Sequence, residues 1–412
     1  RYRRFYPLQR GVGNGVCRFL DIISSVMDSD KTRILVSSEW FPPAFKAGGP
    51  IRSVYNLILA MKSDGGNPDL EFFVLAGAYD LGEEEKMEGL DEGVWSHLEG
   101  VSGVQVRYEN RLNWKKSNWK NVFEEVKPDV LYLNSLFSLA FTLRPLQIAR
   151  AKGVKTVLAP RGMLGAGALE IKPLKKFVFL SLARNLDFFR GVEFHASTEE
   201  EAREVNMHVP GKKVFVARNF SDPTLKILPT TNPSRSINLL CLGRVHPIKN
   251  LLFAVEILSK MNLNGKKVSV NIVGPSEDKK YLDSILHFSN TSLEVTYSGA
   301  VSHQGLREVF KNTHYLLMPT MHENYGHSII ESWGFGRPVL LSDKTPWRDL
   351  QEKGLGYCTP LDPALWEEVF KEILLVSEPD LKGMSAKCNA HYQELVFDPE
   401  IRQANSAIFT ST

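Results

Sequence analysis

Pro319-Thr-Met-His-Glu-Asn-Tyr-Gly-His-Ser-Ile-Ile-Glu-Ser-Trp-Gly-Phe-Gly-Arg-Pro338 decides how the rest of the chain is read. A strand-like run over 314–318 leads into it and another, 339–342, leaves it. Between them the pattern predicts a turn at Gly326 and a short helix over 327–334. Glu323 falls in the turn and Glu331 within the helix. Gly326 lets backbone come close to a ligand. A helix start just after it leaves N–H groups free to meet an anion. The two carboxylates can face one cavity above the strand's carboxyl end, where open α/β sheets bind ligands. An ordinary strand–turn–helix with two solvated glutamates would use the same residues.

A second stretch, Cys241-Leu-Gly-Arg-Val-His-Pro-Ile-Lys-Asn250, adds the opposite charge. A strand ends at Gly243, and Arg244 and Lys249 bracket a turn before a helix expected over 250–261. Arginine offers a planar donor fork and lysine a mobile point charge, and both suit a diphosphate.

Together these stretches resemble retaining glycosyltransferase family 4, which has the GT-B architecture. The family's glutamate–seven residues–glutamate pattern is matched by Glu323 and Glu331. Its Gly-Arg…Lys segment is matched by Gly243, Arg244 and Lys249, with shorter echoes at Val273-Gly274-Pro275, Ser298-Gly299-Ala300-Val301 and Gly336-Arg-Pro-Val339. The likeness runs from Thr32 onward and is closest in the second half. It implies an α/β fold of two Rossmann-like domains whose parallel sheets face a central cleft. It also implies that Glu323 meets the transferred sugar, Glu331 the ribose hydroxyls, and Arg244 and Lys249 the diphosphate. Gly243, Gly274, Asn324, Tyr325 and Gly326 would complete the donor site.

At 412 residues the chain is too long for one ordinary core, so two domains are expected. Apolar content of 43% and charged content of 24% fit a globular chain, and a formal charge of +3 gives no argument for nucleic acid. Cys17, Cys241, Cys358 and Cys388 have no metal-like spacing and read as reduced thiols of a cytoplasmic protein. No apolar run approaches the roughly 18 residues of a membrane span.

In order, residues 1–30 form an extension that the family pattern does not cover. Residues 31–218 are expected to be the acceptor-side domain, 219–236 a linker rich in Pro, Ser, Thr and Asn, and 237–396 the nucleotide-sugar domain. The last segment, 397–412, is expected to cross back to the first domain. The first strand, 32–37, ends before Gly48-Gly49, a pair suited to close approach of phosphate. The acidic segment 79–100 reads as a surface excursion, and 138–152 as a helix. Pro160-Arg-Gly-Met-Leu follows another strand. Many relatives have a histidine at this strand end. Arg161 stands there instead, placed in the cleft near acceptor or phosphate, or else serving only to anchor its loop. The basic and apolar segment 172–190 is expected to be a core-packed helix with solvated lysines, with contact to a membrane surface at the inner face of the plasma membrane as the alternative. Ser197-Thr-Glu-Glu-Glu201 reads as a helix cap.

The chemistry implied is transfer of a sugar from a nucleotide-diphosphate donor to a glycan or lipid-linked acceptor, as in surface polysaccharide or lipopolysaccharide synthesis, with no cofactor and no metal. The one Asp-x-Asp pair is Asp28-Ser-Asp30, in the unmatched extension. Positive side chains would then stabilise the leaving diphosphate. A glycoside hydrolase also uses two carboxylates but would not need Arg244 and Lys249. A nucleotide-sugar epimerase and a non-catalytic nucleotide-binding subunit stay open. A dinucleotide-dependent dehydrogenase is disfavoured, because no Gly-x-Gly-x-x-Gly follows the first strand.

Overall fold

The structure is a computed structural model that describes residues 31–63, 66–169 and 173–410. The extension with Asp28-Ser-Asp30, and Lys172, lie outside the described residues. The first half runs β1 (Thr32–Ser38), α1 (Gly49–Lys62), β2 (Leu70–Gly77), β3 (Ser96–His97), β4 (Val104–Glu109), α2 (Lys116–Val126), β5 (Val130–Leu133), α3 (Arg144–Lys152), β6 (Lys155–Leu158), α4 (Ala166–Leu169), α5 (Pro173–Asn185), β7 (Val192–Ala196), α6 (Glu199–His208) and β8 (Val214–Val216). The second runs β9 (Ser236–Leu242), α7 (Leu251–Lys260), β10 (Lys267–Val273), α8 (Lys279–Leu286), β11 (Leu293–Gly299), α9 (Leu306–Lys311), β12 (Tyr315–Met318), α10 (His327–Gly334), β13 (Val339–Ser342), α11 (Leu350–Lys353), β14 (Gly356–Thr359), α12 (Pro363–Leu375), α13 (Glu378–Val396) and α14 (Pro399–Thr410).

Two sheets result. The first has the order β3-β4-β2-β1-β5-β6-β7-β8 and the second β11-β10-β9-β12-β13-β14. Every pairing is parallel except that of β3 with β4. The expected surface excursion therefore also supplies an antiparallel edge strand, too short to show as an alternating pattern. Parallel strands are covered on both faces and read as continuous apolar runs. Ile34, Leu35 and Val36 are all buried, with Leu35 facing one core layer and its neighbours the other. In each sheet the chain walks outward from a central strand, then returns to its other side. This leaves a switch point between β1 and β5 in one sheet and between β9 and β12 in the other. Ligands bind at the carboxyl ends of strands around such points.

Three local details depart from the sequence expectation. The helix over 138–152 opens as a π turn, Leu139–Leu143, in which the N–H groups of Thr142 and Leu143 both reach the Ser138 carbonyl. Pro145 has no N–H to give and fits at the start of α3, just after the wider turn. The helix expected from 250 starts at Leu251, because Asn250 is left-handed (φ 54°) after a short 3-10 turn, Pro247–Lys249. The third is α5. Its inner face packs as expected, with Phe179 against Phe137, Phe188 and Phe189. Its outer face carries exposed leucines and phenylalanine as well as charge.

The polar segment 219–236 is held firmly. Buried Arg337 on the second domain donates to the carbonyls of Leu228 (3.1 Å) and Pro229 (2.7 Å), and also to Phe310 (3.2 Å). At the other end of the chain, Ile401, Ile408 and Phe409 of α14 join the core of the first sheet. Phe409 meets Phe72 edge to face at 5.8 Å.

Candidate active site

A cleft of about 510 Å³ lies between the two sheets' carboxyl edges. It is lined by Gly48, Gly49 and Arg161 from the first domain and by Gly243, Arg244, Lys249, Gly274, Glu323, Asn324, Tyr325, Gly326 and Glu331 from the second. All twelve residues singled out in the sequence thus meet in one cavity, although they span 48–331.

Two glycines form the floor. Gly243 directly follows β9 and Gly274 directly follows β10, with φ of 145° and 147°. A Cβ on Gly274 would lie 1.9 Å from the Gly243 carbonyl oxygen, so only glycine fits there. Gly326 (φ 80°) turns the chain into α10. A Cβ there would meet Ile329 Cδ1 at 2.6 Å.

The charged groups are paired in this floor. Lys249 Nζ lies 2.6 Å from Glu323 Oε2, both side chains mostly buried. Arg244 pairs with Glu277 at 2.8 Å in a more open position. Glu331, enclosed within the cleft, has its carboxyl held above the usual range by burial, an effect opposed by the charges of Arg52 and His303. His303 Nδ1 is 3.9 Å from Glu331 Oε1, while its Nε2 meets Asp222 of the linker. Burial pushes the Asp222 carboxyl up, but bonds from His303 and Thr224 outweigh it and bring it down to about 2. Burial lowers the Arg52 guanidinium, and Glu331 and Asp222 counter that. An Arg–Glu–His–Asp cluster therefore joins α1, α10 and the linker.

Arg161 is in the cleft wall, but its side chain is largely committed. It is left-handed (φ 56°) and donates to Asn134 Oδ1 (2.8 Å), Asn219 Oδ1 (2.7 Å) and the Tyr132 hydroxyl (2.8 Å). The network assigns the protons beyond it: Tyr132 donates to His195 Nδ1 (2.7 Å), whose Nε2–H donates to the Ala217 carbonyl (2.9 Å). Burial and the Arg161 charge hold the His195 imidazole neutral, down to about 3. Of the two readings left open for Arg161, anchoring its loop is the one these bonds support. Tyr325 lines the cleft while its side chain serves as a strut: it is buried and its hydroxyl donates to the Asn219 carbonyl at 2.7 Å.

The domains touch across the cleft. Asn324 Nδ2 donates to Ser197 Oγ at 3.1 Å, and His327 Nε2 is 2.8 Å from Ser53 Oγ. Burial, with Arg161 and Arg52 nearby, lowers the His327 imidazole to about 3, so it is neutral. The helix cap read over Ser197-Thr-Glu-Glu-Glu201 is present, with Thr198 as the N-cap. Thr198 accepts from the Glu201 N–H, and the Glu201 carboxylate accepts from the N–H groups of Ser197 (2.7 Å) and Gly162 (2.6 Å). The cap thus fixes the loop beside Arg161.

Sequence reading missed Arg52, Ser53, His303 and His327. Arg52 and Ser53 follow Gly48-Gly49 by one helical turn, so the glycine pair was the signal that could have found them. His303 and His327 carried none beyond adjacency to matched segments.

The fold and the sequence have known counterparts. Residues 236–375 match the family described as glycosyl transferases group 1. No curated protein matches the chain in sequence. Among solved structures, HepE of Anabaena in complex with UDP and glucose superposes with a TM-score of 0.65 at 13% identity, covering 92% of this chain and 100% of that one. Sucrose-phosphate synthase from Thermosynechococcus elongatus gives 0.64 at 13% identity, over 92% and 98%. WaaG, a glycosyltransferase involved in lipopolysaccharide biosynthesis, gives 0.62 at 14% identity, over 92% and 100%.

Proposed function

We propose that this chain, whose residues 236–375 match glycosyl transferases group 1 and whose described residues have the GT-B fold, moves a sugar with retention of configuration from a nucleoside-diphosphate donor to a glycan or glycolipid acceptor. Surface polysaccharide or lipopolysaccharide synthesis at the inner face of the plasma membrane is the setting it fits. The observation that carries the reading is the floor of the cleft, where Lys249, Arg244 and two glycines without side chains surround Glu323 and Glu331.

The donor would lie along the carboxyl edge of the second sheet. Its ribose hydroxyls would donate to Glu331, since an ionised carboxylate only accepts. Its diphosphate would take over Lys249 and Arg244 from Glu323 and Glu277, in charge-assisted bonds that strengthen as the leaving group gains charge. Released from Lys249, Glu323 would face the sugar. Arg161 would act through position, holding the loop that carries Gly162 and Met163 on the acceptor side.

In this reading the two cations do the work for which other transferases use a metal ion. Hydrolysis or transfer should therefore persist in excess EDTA, and complete loss restored by Mn²⁺ or Mg²⁺ would overturn that part of the proposal. The reading as a whole is tested by incubating the protein with a panel of nucleoside-diphosphate sugars and following the released diphosphate and sugar anomer. One donor class should be consumed, with the anomer retained. Isomerisation of a nucleotide sugar without any release would favour the epimerase reading instead.

A further inference from the structure

We infer that the outer face of α5 is a docking surface for an anionic lipid bilayer. At about 100° per residue, Leu174, Phe177, Val178, Ser181, Leu182 and Asn185 share one side of the helix, and Leu186 follows in the next turn. On that side Leu174 is 75% exposed, Phe177 70%, Val178 47%, Leu182 54% and Leu186 72%. A surface helix ordinarily turns polar residues to water and apolar ones inward. Here the inward side is already satisfied by Phe179 against Phe137 (5.6 Å) and by buried Ala183, so the outer leucines and phenylalanine have no core left to join. Scattered exposed apolar residues need no explanation, but a continuous stripe of this kind marks an interaction surface.

The charges around the stripe select the occupant. Exposed Lys175 and Arg184 flank it on opposite sides, and exposed Arg190 stands at its end. Asp187, a carboxylate just after α5, is paired with Lys212 at 2.7 Å. Lys176 turns inward, donating to the Ala168 carbonyl and lying 5.3 Å from the Phe137 ring. An apolar stripe edged by cations complements acyl chains beneath anionic headgroups. Pairing this face with a second copy would bring the same cations of both copies into one interface.

The surface also reaches the cleft. Leu169, Phe177, Leu180 and Met207, with Lys176 and Arg184, line a groove of about 350 Å³ on this side of α4. Ala168, one residue earlier, lines the cleft itself. Docking would set the acceptor side of the cleft beside the bilayer, so that a lipid-linked acceptor enters without leaving it. That consequence rests on the transferase reading above; the docking does not.

Vesicle flotation tests the surface with no donor or acceptor present. The full chain should float with phosphatidylcholine vesicles that contain phosphatidylglycerol and stay behind with phosphatidylcholine alone, and high salt should weaken the binding. Phe177→Ser with Leu182→Ser, and separately Lys175→Glu with Arg184→Glu, should each reduce it by about tenfold or more. Donor hydrolysis in solution should be unchanged in both variants, which also reports that they fold. No flotation, equal flotation with neutral vesicles, binding untouched by both variants, or a dimer abolished by Phe177→Ser would each overturn the proposal. Flotation of a protein that hydrolyses no donor would keep the surface and remove the transferase reading.

Discussion

At the scale of single residues, the two glutamates are expected to do different work. Glu323 sits against Lys249 at the base of the cleft, whereas Glu331 sits in α10 against Arg52 and His303. A contact that strengthens as charge develops on the sugar speeds the reaction, and one equally good before and during it only improves binding. Glu323→Gln should lower kcat strongly with little loss of nucleotide affinity. Glu331→Gln should weaken nucleotide binding by about 1–3 kcal/mol. Calorimetric titration and saturated turnover of each variant check this, and the opposite pattern would exchange the two roles. Arg52 supplies a pH-dependent test. Burial holds the Glu331 carboxyl high and the Arg52 charge opposes it. Removing that charge should raise the carboxyl further. Since the ribose needs the ionised form, affinity should fall on acidification, with its midpoint at higher pH in Arg52→Ala than in the parent and restored by Arg52→Lys. Coincident midpoints would contradict the electrostatic coupling of Arg52 to Glu331.

At the scale of elements, the cleft depends on strand ends that bring backbone close to backbone. Gly274→Ala would drive a Cβ into the Gly243 carbonyl at a left-handed φ, and should cost about 1–3 kcal/mol or more. Gly48→Ala meets nothing within 4 Å and should suffer only the cost of its φ of 66°. Urea unfolding of both should rank Gly274→Ala as the more damaging, and equal midpoints would refute the steric argument. This scale also shows what the sequence could reveal. Apolar runs such as 315–318 and glycines at strand ends are set by local chemistry, so the elements that place Gly243, Glu323 and Glu331 were legible. The π turn before α3 and the late start of α7 depend on single backbone conformations that no periodicity reports. Arg161 was placed in the cleft by its strand end, but only the fold brings Asn134, Asn219 and Tyr132 within reach of it.

At the scale of the whole molecule, the site is a product of two sheets meeting. Arg52, Ser53 and Arg161 come from one domain and Glu331, His327 and Asn324 from the other, joined by Ser53–His327, Asn324–Ser197 and the Asn219 strut. Such contacts between distant segments are not written in either segment alone: only the Gly48-Gly49 pair pointed toward Arg52 and Ser53 on α1, whereas Glu331 on α10 lay in a matched motif. The central claim is that this shared cleft holds a nucleoside diphosphate through the Lys249 side of its floor. Its most direct test is calorimetric titration of uridine, guanosine, adenosine and cytidine diphosphates into the parent protein and into Lys249→Ala, with circular dichroism confirming that both are folded. One of the four should bind the parent, and Lys249→Ala should weaken it by about tenfold or more, the loss of one charge-assisted contact. Binding of none of them, or unchanged affinity in Lys249→Ala, would contradict it.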